Sequence, residues 1–277
     1  MIYLAGAVGC SALVAILMRW SAGKVQGGTA MLAVSYAVCL VPALYDAGGT
    51  VLPREPGGGL ALALGTAQGA LYLLGFVLMR RSMIRCGVVL PAIFMKLGLV
   101  VPLAVSVGFL GERPGWGQIL GLLVALGAIV LLHLRKGGSG GVLGPELLLL
   151  LLASGGGDTM SKLFQQLGNA ALSPQFLLYV FAAATVLAVV GAVKEGKRLE
   201  GNQIWMGCLL GLPNYFCSKF LLRSLQDLPA FVVYPTFSVA ALLVVSLAGI
   251  LLFRERLTPR QWTAAGLLIA ALALLNG

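Results

Sequence analysis

The sequence predicts an all-α membrane protein of ten transmembrane helices, arranged as two five-helix repeats of inverted topology. Composition, the number of apolar segments and an internal repeat carry this reading. Hydrophobic residues fill 59% of the 277 positions and charged residues 10%, whereas soluble domains are about a quarter charged. That excludes an ordinary soluble domain and a disordered chain alike. A spanning helix takes about 20 residues, so the length holds roughly ten spans and leaves no soluble domain. The net charge of +10 does not point to nucleic acid, because most basic residues flank apolar runs, where they act as topology signals.

Charges and helix breakers bound each span in turn. The first, 2–20, has no basic residue ahead of its apolar run, so a cleaved signal peptide is not expected. The second covers 29–46, and the third, 58–79, stops at Arg80-Arg81. The fourth, 86–110, contains Pro91 and Pro102 and ends before Gly111-Glu112. Pro114 opens the fifth (114–134) and Pro145 the sixth (145–166). Ser173-Pro174 places a capping hydroxyl before a first-turn proline for the seventh (173–193). The eighth covers 202–222 and the ninth 228–252, and Thr258-Pro259 opens the tenth (259–276). Helices are the expected spanning element, because every backbone group must be satisfied within its own segment. The pairs Gly65/Gly69, Gly117/Gly121 and Gly207/Gly211 have GxxxG spacing, which suits close helix packing. Cys10, Cys39, Cys86, Cys208 and Cys217 show no CxxC spacing and read as reduced packing residues, with no metal or disulfide framework.

Counting Lys and Arg in the connections orients the chain. Connections 1/2, 3/4, 5/6, 7/8 and 9/10 hold thirteen, against three (Arg54, Arg113, Arg223) on the other side. The ratio places the odd connections in the cytoplasm and both termini outside.

The chain also repeats itself at an offset of about 143 residues: Glu112 falls on Glu255, Arg113 on Arg256, Gln118 on Gln261, Tyr36 on Tyr179 and Tyr72 on Tyr215. The predicted organisation is a first repeat over 1–136, a Gly/Ser linker over 137–144 and a second repeat over 145–277. Five spans per half is an odd number, so the second half must be inverted. Such repeats are a hallmark of secondary transporters, whose substrate site lies near the midplane.

The residues Pro91, Gly111, Glu112, Gln118 and Gly121 in one half, and Pro235, Glu255, Gln261 and Gly266 in the other, form a shared pattern. In this pattern the chain resembles the drug/metabolite transporter superfamily, in its ten-helix EamA-type branch. The resemblance implies a central cavity lined by spans 1, 3, 4, 6, 8 and 9, and a substrate drawn from amino acids, drugs, nucleotide sugars or sugar phosphates. Many relatives keep both termini in the cytoplasm, and the charge count here argues the reverse.

An ionisable side chain at the centre of a spanning helix costs at least about 2.5–3.5 kcal/mol, so each one calls for a reason. Lys96 lies near the middle of the fourth span, and the repeat places Val239 or Ala240 opposite it. It reads as a ligand for a substrate carboxylate or phosphate, against a counter-ion to Asp158 or a snorkelling side chain. Asp158 and Lys162, four residues apart, form either an intrahelical pair or a proton-coupling or amine-binding carboxylate beside a neighbour. The run Ser154–Gly157 ahead of them allows a ligand or a helix to approach the backbone. Gln68, Tyr72, Asn214 and Tyr215 read as cavity-lining donors and acceptors or as interhelical hydrogen bonds, and Tyr234 joins the set with Thr236 and Ser238. Lys219 and Arg223 read as interfacial side chains, and Tyr36 and Tyr179 as packing residues. Glu112 and Glu255 complement the helix N-termini of spans 5 and 10.

The expected function is secondary active transport of a small anionic or zwitterionic metabolite, such as an amino acid or an organic or phosphorylated acid, by alternating access. The chain is expected in the plasma (inner) membrane as a monomer, coupled to a proton or to counter-exchange, with no cofactor and no nucleic acid. The alternative is a multidrug exporter, with Asp158 meeting a lipophilic cation between tyrosine walls. A membrane enzyme of lipid head groups fits less well: the single histidine, His133, has no nucleophile or carboxylate pair in the sequence pattern. No P-loop is present, and no charged ring or filter motif suggests a channel.

Overall fold

A computed structural model describes residues 1–21, 28–52, 55–86, 89–133, 145–196, 200–253 and 259–276. The predicted linker, Glu255, Arg256 and several of the loop cations counted above lie outside the described residues. Every regular element among the described residues is helical. In chain order these are α1 (Ile2–Ser21), α2 (Thr29–Asp46), α3 (Gly58–Cys86), α4 (Val89–Leu97), α5 (Val100–Gly108) and α6 (Trp116–His133). They continue with α7 (Pro145–Leu167), α8 (Ser173–Glu195), α9 (Gly201–Asp227), α10 (Ala230–Phe253) and α11 (Pro259–Asn276). Among the described residues, six segments are long and apolar enough to cross a membrane, with Pro91–Gly108 counted as one. Three more, Ile2–Met18, Trp116–Leu131 and Trp262–Asn276, are apolar but shorter. The chain is a multi-pass membrane protein. Its α9 carries Gln203, Asn214, Lys219 and Arg223 and falls in neither group.

Three departures from the sequence reading have physical causes. The fourth span is not one helix but two, broken at Gly98-Leu99. Pro102 lacks an N–H and its ring crowds the carbonyl four residues earlier, which is that of Gly98. Next, α3 runs on to Cys86 and α9 to Asp227, past the charges that bounded spans 3 and 8. A charge ends an apolar run without ending the backbone ladder. Finally, Ser173 does not cap α8: its hydroxyl donates to Ala170 O at 2.7 Å. A 3-10 turn at Ala170–Leu172 leads into α8, and Asn169 caps that turn by accepting from Ala171 N at 3.0 Å.

The chain divides into two compact units, each drawing on both predicted repeats. The first comprises Met1–Leu73 and Met160–Gln226, the second Leu74–Thr159 and Asp227–Gly277. In the first unit α2 packs on α8. Gly65 and Gly69 of α3 lie against the α8 backbone, where added Cβ atoms would meet Phe176 O at 2.8 Å and Ala183 Cβ at 2.9 Å. Gly207 and Gly211 of α9 lie against α2 in the same way: added Cβ atoms would be 2.9 Å from Met31 O and 2.8 Å from Ser35 O. The two contacts correspond under the sequence offset, α3 to α9 and α8 to α2. The core between these helices is aromatic: Phe164 stacks on Phe176 with ring centroids 4.2 Å apart, and Tyr36, Tyr179 and Phe181 are buried.

In the second unit α6 packs along α11, and α10 contacts both. The third glycine pair serves this seam, since a Cβ on Gly121 would sit 2.9 Å from Leu275 Cγ. All three GxxxG pairs therefore mark helix crossings, as expected for small residues that let backbones approach.

Candidate functional site

The eight sequence-predicted site residues separate into two groups of four, one in each unit. Lys96, Ser154, Asp158 and Tyr234 belong to the second unit; Gln68, Tyr72, Asn214 and Tyr215 belong to the first.

In the second unit the helix break at Gly98 brings α4 against α7. Ser154 donates to Met95 O at 3.1 Å, and Gly155 lies directly against Gly98 and Val101. The glycine run thus receives a helix end. Tyr234 of α10, 2% exposed, donates its hydroxyl to the Asp158 backbone oxygen at 2.7 Å, which fixes α7 at this residue. Lys96 acts electrostatically on the Asp158 carboxylate, and both side chains are only partly buried. The group therefore holds one ammonium and one carboxylate within each other's field, beside a serine and a tyrosine. Such a pair can meet the carboxylate and the ammonium of a zwitterion, or the charge of a simple ion.

Glu112 sits in the same unit, and its role differs from the expected one. It accepts from Ala230 N at 3.1 Å, so it serves the N-terminus of α10 instead of the helix that follows it in sequence. Gln118 is the residue that bonds the α6 N-terminus, accepting from Gly115 N at 3.2 Å. Gly111, with φ +72, supplies a left-handed turn in the connection that leads from α5 to Glu112.

In the first unit Gln68 is buried and bridges two partners. Its amide donates to the Tyr72 hydroxyl at 2.8 Å, and its carbonyl accepts from Ser161 at 3.0 Å. Lys162 is buried and donates to Gln165 Oε1 at 3.0 Å. Gln68→Leu is expected to cost about 1–2 kcal/mol, because the Ser161 hydroxyl loses its acceptor while remaining buried. Adding Ser161→Ala should recover most of that loss, read as the unfolding midpoint in detergent.

Asn214 and Tyr215 belong to a different network. Cys39 donates its thiol to Gly211 O at 3.1 Å, and the Asn214 amide approaches the same sulfur at 4.0 Å. Tyr215 is fully buried and donates to Asp46 Oδ2, which also receives Lys219. Cys10, Cys39, Cys208 and Cys217 are free thiols.

The sequence reading missed this Asp46 centre. Asp46 is the last residue of α2, where the helix dipole disfavours a negative charge. An acid in that place is the signal that a cation waits nearby. Its cation is Lys219, here an ion-paired side chain and not merely an interfacial one. Next to it lies a cavity of about 380 Å³, bordered by Tyr3, Asp46, Lys219, Arg223 and the start of α8.

Comparison with known proteins follows the same lines. Across 200 residues the chain is 21% identical to an uncharacterized protein of Haemophilus influenzae, covering 71% of this chain and 69% of that one. A protein of known crystal structure superposes with a TM-score of 0.79 at 15% identity, over 99% of this chain and 95% of its own, which shows a shared fold. Residues 146–277 match the EamA-like transporter family. That stretch begins in α7 and runs through α11, and the members of the family are membrane transporters. The chain is thus similar to the EamA-like transporter family over residues 146–277.

Proposed function

We propose that the protein is a secondary active transporter of a small zwitterionic or anionic metabolite, an amino acid or an organic acid, working by alternating access. The observation that carries this reading is the Lys96–Asp158 arrangement: opposite charges on α4 and α7 within one unit, next to a helix break. Intramembrane charges are costly and mark substrate or ion pathways. A broken helix supplies free backbone groups where a ligand can be bound. The matching contacts of α3 on α8 and of α9 on α2 support an inverted repeat, which provides the two exchangeable states of alternating access. In this reading Lys96 holds the substrate carboxylate. Asp158 takes the substrate ammonium or the coupling proton. The protein acts as a monomer in the plasma membrane, with the arginine-rich connections in the cytoplasm.

A thermal-shift screen on purified protein tests it. Amino acids or carboxylates should raise the unfolding midpoint of the wild type, since a ligand selective for the folded state stabilises by mass action. The shift should vanish in Lys96→Ala, and for a zwitterion it should also vanish in Asp158→Asn. Stabilisation by lipophilic cations alone, lost in Asp158→Asn and kept in Lys96→Ala, overturns the assignment in favour of a multidrug exporter.

A further inference from the structure

The cavity beside Asp46 has features that packing alone does not require. Its volume of about 380 Å³ lies at the small end of the range for ligand pockets. Two cations, Lys219 and Arg223, border it against one carboxylate, Asp46. Lys219 is already ion-paired to Asp46, so one positive charge is left over. That charge is on Arg223, an exposed residue with no carboxylate partner among the described residues.

The guanidinium is nonetheless held in place. Its carbon lies 5.7 Å from the centroid of the Tyr3 ring, and Nη1 donates to Gln226 Oε1. Gln226 in turn donates to Ser173 Oγ at 3.2 Å. A ring face on one side and an amide on the other orient the planar fork and leave its other N–H groups available. The lining also includes apolar side chains, Leu177, Phe220 and Leu222.

We propose that this cavity is a binding site for a singly charged oxyanion with a short apolar chain. The oxyanion sits on the Arg223 fork, where carboxylate and phosphate bind in a bidentate geometry. The chain lies on Leu177, Phe220 and Leu222. The site holds none of the proposed substrate ligands Lys96 and Asp158, and the proposal does not rest on transport. Both a free carboxylate and an anionic lipid head group offer this chemistry.

Isothermal titration calorimetry on the full chain in a non-ionic detergent tests the proposal. The probes are hexanoate, its neutral isostere hexanamide, and dihexanoyl phosphatidylglycerol. At least one anion should bind saturably and weaken as salt is raised. Hexanamide should bind at least tenfold more weakly than hexanoate. Arg223→Gln should weaken the anion at least tenfold, and Arg223→Lys several-fold, because it keeps the charge and loses the fork. Ala171→Trp, at an exposed rim position, should block binding with every charge in place. Binding of hexanoate identifies a free carboxylate as the ligand; binding of the phosphatidylglycerol alone identifies a lipid head group. The proposal is overturned if neither anion binds, if hexanamide matches hexanoate where that is the anion bound, or if Arg223→Gln leaves anion affinity unchanged.

Discussion

Gly155→Leu is expected to cost at least about 3 kcal/mol, the upper part of the range for overpacking, and to reduce the yield of folded protein sharply. A Cβ at Gly155 would overlap Gly98 O and would lie 2.6 Å from Val101 Cβ. The first obstacle is backbone, held at the α4–α5 break by Gly98 N bonding to Phe94 O at 3.1 Å and Val101 N bonding to Gly98 O at 2.9 Å. No rotamer change relieves such a contact; α7 must move away from the break. Even Gly155→Ala should destabilise, against the usual helix preference for alanine. Gly75→Ala in α3 is the control, because nothing lies within 4 Å of its added Cβ. It should stabilise by about 0.5–1 kcal/mol from helix propensity. Unfolding midpoints of the three variants in one detergent check the prediction. Equal effects at Gly155 and Gly75 would mean that the α7 crossing is not close.

The second large effect is expected at Asp46. Asp46→Ala removes the acceptor of the buried Tyr215 hydroxyl and the counter-ion of Lys219 together. Breaking a fully buried ion pair costs about 3–5 kcal/mol. Here the Lys219 and Asp46 side chains are 41% and 22% exposed, so solvent screens part of the charge term. The expected loss is about 2–3 kcal/mol, most of it from the stranded tyrosine hydroxyl. Tyr215→Phe in the Asp46→Ala background should therefore restore stability, and a double-mutant cycle on unfolding free energies reads this coupling. Additive effects would show that the two residues do not depend on each other.

Much of the fold was legible along the chain. Apolar runs bounded by charge located nine of the ten expected spans as single helices, because a backbone in lipid must satisfy itself locally. GxxxG spacing marked three real crossings, since only a missing side chain permits that approach. The fourth span was read as one helix, and its break falls at the carbonyl that Pro102 crowds. The residues of the candidate site were legible as polar groups, but not their partners. Lys96, Asp158, Ser154 and Tyr234 drew notice as polar groups in apolar helices, and they belong to one unit. Gln68 and Tyr72 drew notice for the same reason and are hydrogen-bonded to each other. Glu112 was read as serving the helix next to it in sequence, yet its carboxylate serves α10, 118 residues away.

The sequence by itself determined the class of protein and the order of its helices. These follow from composition and from interactions within single segments. Only the tertiary structure decided which polar groups meet. Asp46 and Lys219 are 173 residues apart, and Gln68 and Ser161 are 93 apart. Neither pair has a periodicity that could announce it, because a side-chain contact between helices depends on crossing angle and rotation. Those are set by glycine seams and buried rings summed over the whole unit.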